Sequence, residues 1–533
     1  ARDEQGNAWT SKWAANPSTM RRCWLFFVIV FWSAACAIEN SVEELHSELA
    51  ALRSEIQSLK LQEAQLNEPR HLAANSSITP SFLLAEVEGL KQHNFDVQES
   101  MDTLWLCVCG FVASLMHAGF AMLETGACRA RSASSVLLKN VMNMCVGSVG
   151  WWLCGWALAY GDQIYGFIGT SGFATSNFLQ SSGSLIQPAK ICEEPNCVSK
   201  MVMWFYQWIF CTTCVSIVSG GVAERARTAS YLCYSFAMSA LIYPGVVAWT
   251  WGGGWLSSFL GVGFTDFAGS AVVHLTGGMG ALTGAIMLGP RRGRFEDPAA
   301  FEAHSLPLVV MGTLILWFGW FGFNAGSTLS LHDASTAALA AQVAVNTVMS
   351  GAVGGVTVFF LRLLQAGRYD VSGLCNGILA GLVSITAGCA NMTSFSAVCV
   401  GALGGGVYCI FSSLLVKLQI DDPVDASAVH GACGVWGTMA AVLFDWGVPQ
   451  GHFHGLRGWT CASAPNCEKG ILGSALLAQL ITVVAILGWV LSLSLIILIS
   501  ASLAGQIRVE QRTEEAGVDH TEHAQVAYDL DGK

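Results

Sequence analysis

Residues Asp266-Phe-Ala-Gly-Ser-Ala-Val-Val-His274-Leu-Thr-Gly-Gly-Met-Gly280 decide the fold. An aspartate opens an apolar run, a single histidine lies inside it, and glycines follow at once. No Asp, Glu, Lys or Arg interrupts positions 267–289, long enough as a helix to span ~30 Å of hydrocarbon. Glycine weakens a soluble helix, but between helices in lipid it permits close backbone contact. The stretch therefore reads as a membrane helix with an ionisable group in its interior. A second stretch, Asp421–Gly437, repeats the pattern: Asp425-Ala-Ser precedes His430, and Gly431, Gly434 and Gly437 follow.

The composition agrees. Of 533 residues, 53% are hydrophobic and 12% charged, where a soluble domain carries about 25% charge. That argues against a large soluble enzyme. Nineteen Trp and 57 Gly suit interfaces and helix contacts in a bilayer. The net charge of −11 collects largely in Glu39–Glu99 and Glu510–Asp531, so it describes solvated flanks and no nucleic-acid face. An all-α, polytopic membrane protein is predicted, with about eleven spans near 104–123, 136–160, 201–223, 231–255, 267–289, 306–328, 337–361, 371–390, 395–417, 426–446 and 471–500.

Basic residues orient it. Arg129, Arg131 and Lys139 follow the first span, Arg225 and Arg227 the third, and Arg291, Arg292 and Arg294 the fifth. Arg362 and Arg368 follow the seventh, Lys417 the ninth, Arg508 and Arg512 the last. The opposite side has Lys190, Lys200, Arg457 and Lys469. The positive-inside rule makes the first group cytoplasmic, with the N-terminus outside and the C-terminus inside. Residues 20–37 have the form of a secretory signal peptide: Arg21 and Arg22, the apolar run Trp24–Trp32, then Ala35-Cys36-Ala37. Met20 thus reads as a start with residues 1–19 upstream of it; an uncleaved anchor is the rival reading. Leu45, Leu49, Leu52, Ile56, Leu59 and Leu66 form a heptad seam or a lone amphipathic helix. Asn75-Ser76-Ser77 is a glycosylation acceptor pattern. The expected organisation is 1–37 leader, 38–100 extracellular extension, 101–503 membrane domain and 504–533 cytoplasmic tail. Cys192, Cys197, Cys461 and Cys467 fall in loops expected outside the cell, where disulfides persist, with the pairing open.

Polar groups within spans are costly and point to function. If spans one to five and six to ten form two inverted halves, His274 and His430 occupy equivalent places near the midplane. Such a pair can relay a proton. It can also be structural, each ring bonding a backbone carbonyl. As a metal site it lacks a carboxylate or thiolate partner, and neither metal nor cofactor is expected.

Three motifs together resemble the ammonium transporter (Amt/Mep/Rh) family, on its Amt branch: Asp266–His274 with Leu-Thr-Gly-Gly-Met-Gly, Phe318–Ser327 (Phe-Gly-Trp-Phe-Gly-Phe-Asn-Ala-Gly-Ser) and Asp421–Gly437. Gly221-Val-Ala-Glu-Arg-Ala-Arg is similar to its motif after the third span. The resemblance runs from about Met101 to Tyr528. It implies that His274 and His430 are the pore pair, that Phe210 and Phe323 are stacked gating rings, and that Trp251, Ser327 and Phe210 attract the cation with Asp266 beside them. It further implies homotrimers with one pore per subunit, a tail (Gly517–Tyr528, with Asp519 and His523) touching a neighbouring subunit, and a cytoplasmic face with room for a regulatory protein. The activity implied is electrogenic ammonium transport across a cell membrane, most simply the plasma membrane, and no enzyme chemistry. Electroneutral gas conduction of Rh type and ammonium sensing are the alternatives. Bland readings stand beside these: Phe210 and Phe323 as core or lipid contacts, Trp251 as an interfacial anchor, Asp266 as a helix cap.

Overall fold

The computed structural model describes residues 80–182, 185–192, 197–445 and 471–528. The signal segment, the heptads, Asn75, Cys461 and Cys467 lie outside the described residues. The chain divides into two compact units, Ala1–Gln92 and His93–Lys533. Within the first, the described residues are helical.

Each of the eleven expected spans contains a helix among the described residues. Among the described residues, nine helices are long and apolar enough to cross a membrane. They are α1 (Val87–Ala127), α2 (Ala130–Tyr160), α3 (Lys200–Gly221), α4 (Thr228–Trp249), α5 (Ser270–Leu288), α6 (Leu306–Gly326), α7 (Ala334–Ala366), α9 (Ser394–Lys417) and α11 (Leu472–Leu503). Two shorter apolar helices complete the series, α8 (Val371–Thr386) and α10 (Ser427–Leu443). The first helix starts well before the expected span, at Pro80. Between α2 and α3 lie two small antiparallel hairpins: β1 (Gln163–Ile164) with β2 (Ile168–Gly169), and β3 (Leu179–Ser182) with β4 (Leu185–Pro188). Cys192 and Cys197 follow them with Cα atoms 5.9 Å apart, within disulfide reach.

Local chemistry sets the helix ends. The Ser199, Asp333, Asp370 and Thr393 side chains accept backbone N–H bonds at the starts of α3, α7, α8 and α9, satisfying donors that a helix leaves orphaned. Gly367 closes α7 at φ 65°, the left-handed geometry that glycine adopts without penalty. Among the described residues, four helices contain a π-turn: Trp151–Gly155, Met238–Ile242, Ser270–Leu275 and Ser427–Ala432. Each histidine of the expected pair sits in one.

The basic side is tied together by buried ions. The Glu224 carboxylate is fully buried and bridges Arg129 and Arg291. Arg291 also grips Asp421 through Nε at 2.8 Å and Nη2 at 3.0 Å. Burial pushes the Glu224 carboxyl up, but Arg291 and Arg129 outweigh it and hold it below its ordinary value. The Asp421 carboxyl is likewise raised by burial, yet its bond and charge contact with Arg291 bring it down to about 2. Fully buried Arg225 is met by carbonyls, its Nη2 donating to Asp421 O at 2.6 Å and its Nε to Gly289 O at 3.1 Å.

Two short tail helices, α12 (Gln511–Ala516) and α13 (Val518–Glu522), close this face. Glu514, buried, takes Arg508 and the backbone N–H of Arg292. Asp519 accepts the N–H groups of Ser134 and Ser135 at 2.8 and 2.9 Å. These bonds hold the tail to its own chain.

Candidate functional site

The site starts from how α5 and α10 begin. Gly269, at φ 112°, turns the chain into α5. The Asp266 carboxylate then accepts four backbone N–H groups, those of Gly269, Ser270, Ala271 and Val272, at 2.8–3.0 Å. Ser270 Oγ donates to Val383 O and accepts from Ala387 N, pinning this start to α8. Asp266 is therefore a buried cap, 4% exposed, whose side-chain acceptors are taken by the backbone. Asp266→Ala would leave four buried donors without their acceptor, at about 1–3 kcal/mol each where no substitute forms. The expected result is loss of most surface-labelled protein in a biotinylation assay, with Asp266→Asn retaining more.

At the start of α10 the equivalent group is Asp422, whose Oδ2 accepts from the N and Oγ of Ser427. It stands eight residues before His430 (430 − 422), as Asp266 stands eight before His274 (274 − 266). Asp425, matched to Asp266 by the sequence pattern, instead takes the hydroxyls of Tyr408 and Ser412.

Around these starts the structure brings the expected residues into one row. The Trp251 indole donates to Asp266 O at 2.8 Å and stands edge-on to Phe210, with centroids 5.7 Å apart. Phe210, on α3, stacks on Phe323, on α6, at 4.1 Å and 27°. Both rings are sealed from solvent. Ser327 Oγ donates to Phe323 O at 2.8 Å, and as a hydroxyl it can also accept. Phe323 lies 5.7 Å from the His274 ring. His274 and His430 face each other, Nδ1 to Nδ1 at 3.2 Å and 22° between planes. Phe120 of α1 follows His430 at 5.9 Å.

Three parts of this arrangement were not expected from the sequence. Trp320 stacks on His274 at 5.0 Å and 14°, fixed by its own indole donating to Thr386 Oγ1 at 2.9 Å. Its place one turn before Phe323 on α6 was the available signal. The π-turns around both histidines form the second; they widen one turn of helix and recur at functional sites. Third, α5 and α10 cross beside the histidines with Gly278 against Gly431. A Cβ on Gly278 would stand 2.2 Å from Gly431 N.

The facing Nδ1 atoms constrain the protons. Between two neutral rings, one Nδ1 donates and the other accepts. The donor ring then has a bare Nε2, and the acceptor ring carries its proton on Nε2. His274 Nε2 is buried and finds no hydrogen-bond partner among the described residues. No group of three or more metal-type ligands occurs among those residues either. A proton taken up at the bare Nε2 lets the shared Nδ1 proton cross to the other ring, which releases its own Nε2 proton, and the two rings thereby exchange tautomers.

An apolar helical protein with an aromatic row ending in paired imidazoles defines a multi-pass membrane protein that handles a small polar solute. Residues 104–528 match the model of the Ammonium Transporter Family, and the chain belongs to that family. It is similar to the ammonium transporter Amt2 of Archaeoglobus fulgidus, 39% identical over 456 residues, covering 83% of this chain and 92% of that protein. Ammonium transporter 1 member 3 of Solanum lycopersicum is 35% identical, covering 81% and 94%. Among solved structures, one titled a sensor Amt protein superposes with a TM-score of 0.70 at 30% identity, covering 80% of this chain and all of that one. Candida albicans Mep2 superposes at 0.67 with 28% identity, covering 78% and 87%.

Proposed function

We propose that the chain moves ammonium across the membrane with net transfer of charge. The observation that carries this reading is the facing Nδ1 pair at 3.2 Å directly behind a closed aromatic stack. Trp251 and Phe210 attract the cation by cation–π contact, at ~0.5–2 kcal/mol, and Ser327 Oγ accepts one of its N–H bonds. Carrying a bare cation through an apolar pore is expensive. Ammonium therefore loses a proton near the ring stack, and neutral ammonia crosses the apolar section. The N–H bond that breaks in ammonium is replaced by one at His274 Nε2; His274 Nδ1–H then passes its proton to His430 Nδ1, and His430 gives up the proton on its Nε2. Potassium has no proton to lose and is rejected.

The same reading includes eleven crossings in two inverted halves, with the N-terminus outside and the basic face cytoplasmic. Support comes from the matching caps Asp266 and Asp422 and from the twin π-turns. It also includes a homotrimer in the plasma membrane and a Cys192–Cys197 disulfide on the outer side. Voltage-clamped oocytes expressing the chain are the test. An inward current with ammonium and methylammonium, none with potassium, is expected. Surface-labelled protein that moves ammonia without current would replace this reading with neutral conduction; inactivity in both assays would favour a sensor.

A further inference from the structure

Beyond the histidine pair lies a cavity that reaches His430, and its wall contains one acid, Glu124 of α1. Glu124 sits one turn after Phe120, which touches His430. Leu123, Ile217, Leu379 and Val429 supply much of the apolar remainder. The Glu124 carboxylate is buried, 1% exposed. It accepts from Ser219 Oγ at 2.6 Å and from Asn140 Nδ2 at 2.8 Å. Both donors are neutral, and no ion pair to Glu124 occurs among the described residues. This differs from Glu224, Asp421 and Glu514, whose carboxylates lie against arginines. A carboxyl set in an apolar wall without a salt bridge is costly. It is also suited to exist both charged and neutral, since a hydroxyl can donate to a carboxylate or accept from a carboxylic acid.

We infer that Glu124 receives the proton arriving at His430 and releases it to the aqueous phase on the basic side. The inference rests on the proposed histidine relay and adds its exit. In the first step an imidazolium N–H bond of His430 breaks and an O–H bond forms on Glu124, directly or through water in the cavity. In the second the O–H bond breaks, the proton passes to solvent, and the carboxylate is restored. Nothing is oxidised or reduced. Position supports the direction: α1 ends at Ala127, and basic Arg129 follows at once. The charged and titratable groups around Glu124 are Lys139 of α2, Asp422 before α10, Tyr231 of α4, Cys128 after α1, and His430 across the cavity. Lys139 Nζ is held by Ala226 O at 2.7 Å.

The test measures current and labelled methylammonium uptake in the same oocytes, giving charge moved per substrate. Glu124→Gln keeps the size and one acceptor but cannot exchange a proton. Its current is expected to fall about tenfold or more, with uptake falling less, so that charge per substrate drops. A wild-type current overturns the inference, and so does an equal loss of current and uptake in surface-labelled protein, which marks a structural role. If Glu124→Gln does not reach the surface, Asn140→Ala decides. It removes one donor from the carboxylate, and the current's dependence on internal pH should move by about half a unit or more; an unmoved profile overturns the inference. A wild-type chain without current would instead sink the electrogenic reading itself, so the two failures are distinguishable.

Discussion

His274→Ala is expected to reduce the ammonium-evoked current by on the order of 10²-fold, the lower range of what a positioned proton-transfer group contributes. The change removes one of the two Nδ1 atoms that meet at 3.2 Å, leaving His430 without the partner that hands it a proton. It also strips the Trp320 face of its stacked ring, so folding needs a control. Surface biotinylation supplies that control, and His274→Gln is a second variant that keeps more volume. Uptake of labelled methylammonium separates two cases. If uptake persists while current vanishes, the pair carries the proton and the pore still passes the neutral amine. If current survives at wild-type size in surface-expressed His274→Ala, the proton travels elsewhere and the relay is wrong.

Glu224→Gln is expected to destabilise the basic face strongly. The carboxylate is shared by Arg129 and Arg291 and is fully buried. Removing its charge leaves two guanidinium groups facing each other with Asp421 as the remaining anion. Breaking a buried pair in this way costs about 3–5 kcal/mol. The measurement is the fraction of detergent-solubilised protein that stays monodisperse through a heating series. A pH series gives the sign independently. Both Glu224 and Asp421 are held below their ordinary values in the fold, Asp421 at about 2. Depressed carboxyls contribute stability that is complete above their unfolded values, near 4, and lost as pH falls through the folded ones. Wild-type protein should therefore lose heat resistance between about pH 4 and pH 2, whereas Glu224→Gln is already weakened at neutral pH. Glu510→Gln is the contrast: its contact with Arg227 is 3.8 Å long and Glu510 is 78% exposed, and exposed pairs contribute little. Equal behaviour of the two variants would refute the assignment.

The elements were legible because lipid imposes a simple rule. Each span needs a long uncharged run, and all eleven runs gave helices where they were expected. Trp251, Phe210, Phe323, His274 and His430 were legible through motif order, and the structure brings them into one row. Other features depended on geometry that letters do not carry. Asp425 looked like the partner of Asp266 because each is followed by a serine and then by the histidine. The cap depends on distance to the helix start, however, and Asp422 holds the matching place. The role of Glu224 was not legible, since nothing in Gly221-Val-Ala-Glu-Arg-Ala-Arg announces that Arg129 and Arg291 converge on it from other loops. Asp266 was considered as both a cation-site acid and a cap; its four backbone donors leave the carboxylate engaged as a cap. The bonds of Asp519 to Ser134 and Ser135 were not legible either, since they join positions 385 and 384 apart in the chain.

The crossing of α5 and α10 carries a consequence for how such chains can drift over evolutionary time. Gly278 and Gly431 look interchangeable as letters, yet their freedom to vary differs. A Cβ at Gly278 strikes the backbone of Gly431 and His430 at 2.2–2.8 Å, whereas a Cβ at Gly431 meets Gly278 only at 3.6 Å, ordinary contact. A clash with a side chain can be relieved by shrinking that side chain; a clash with backbone has no such remedy. Descendants that keep the two imidazoles in register thus stay locked at position 278, while alanine can enter at 431.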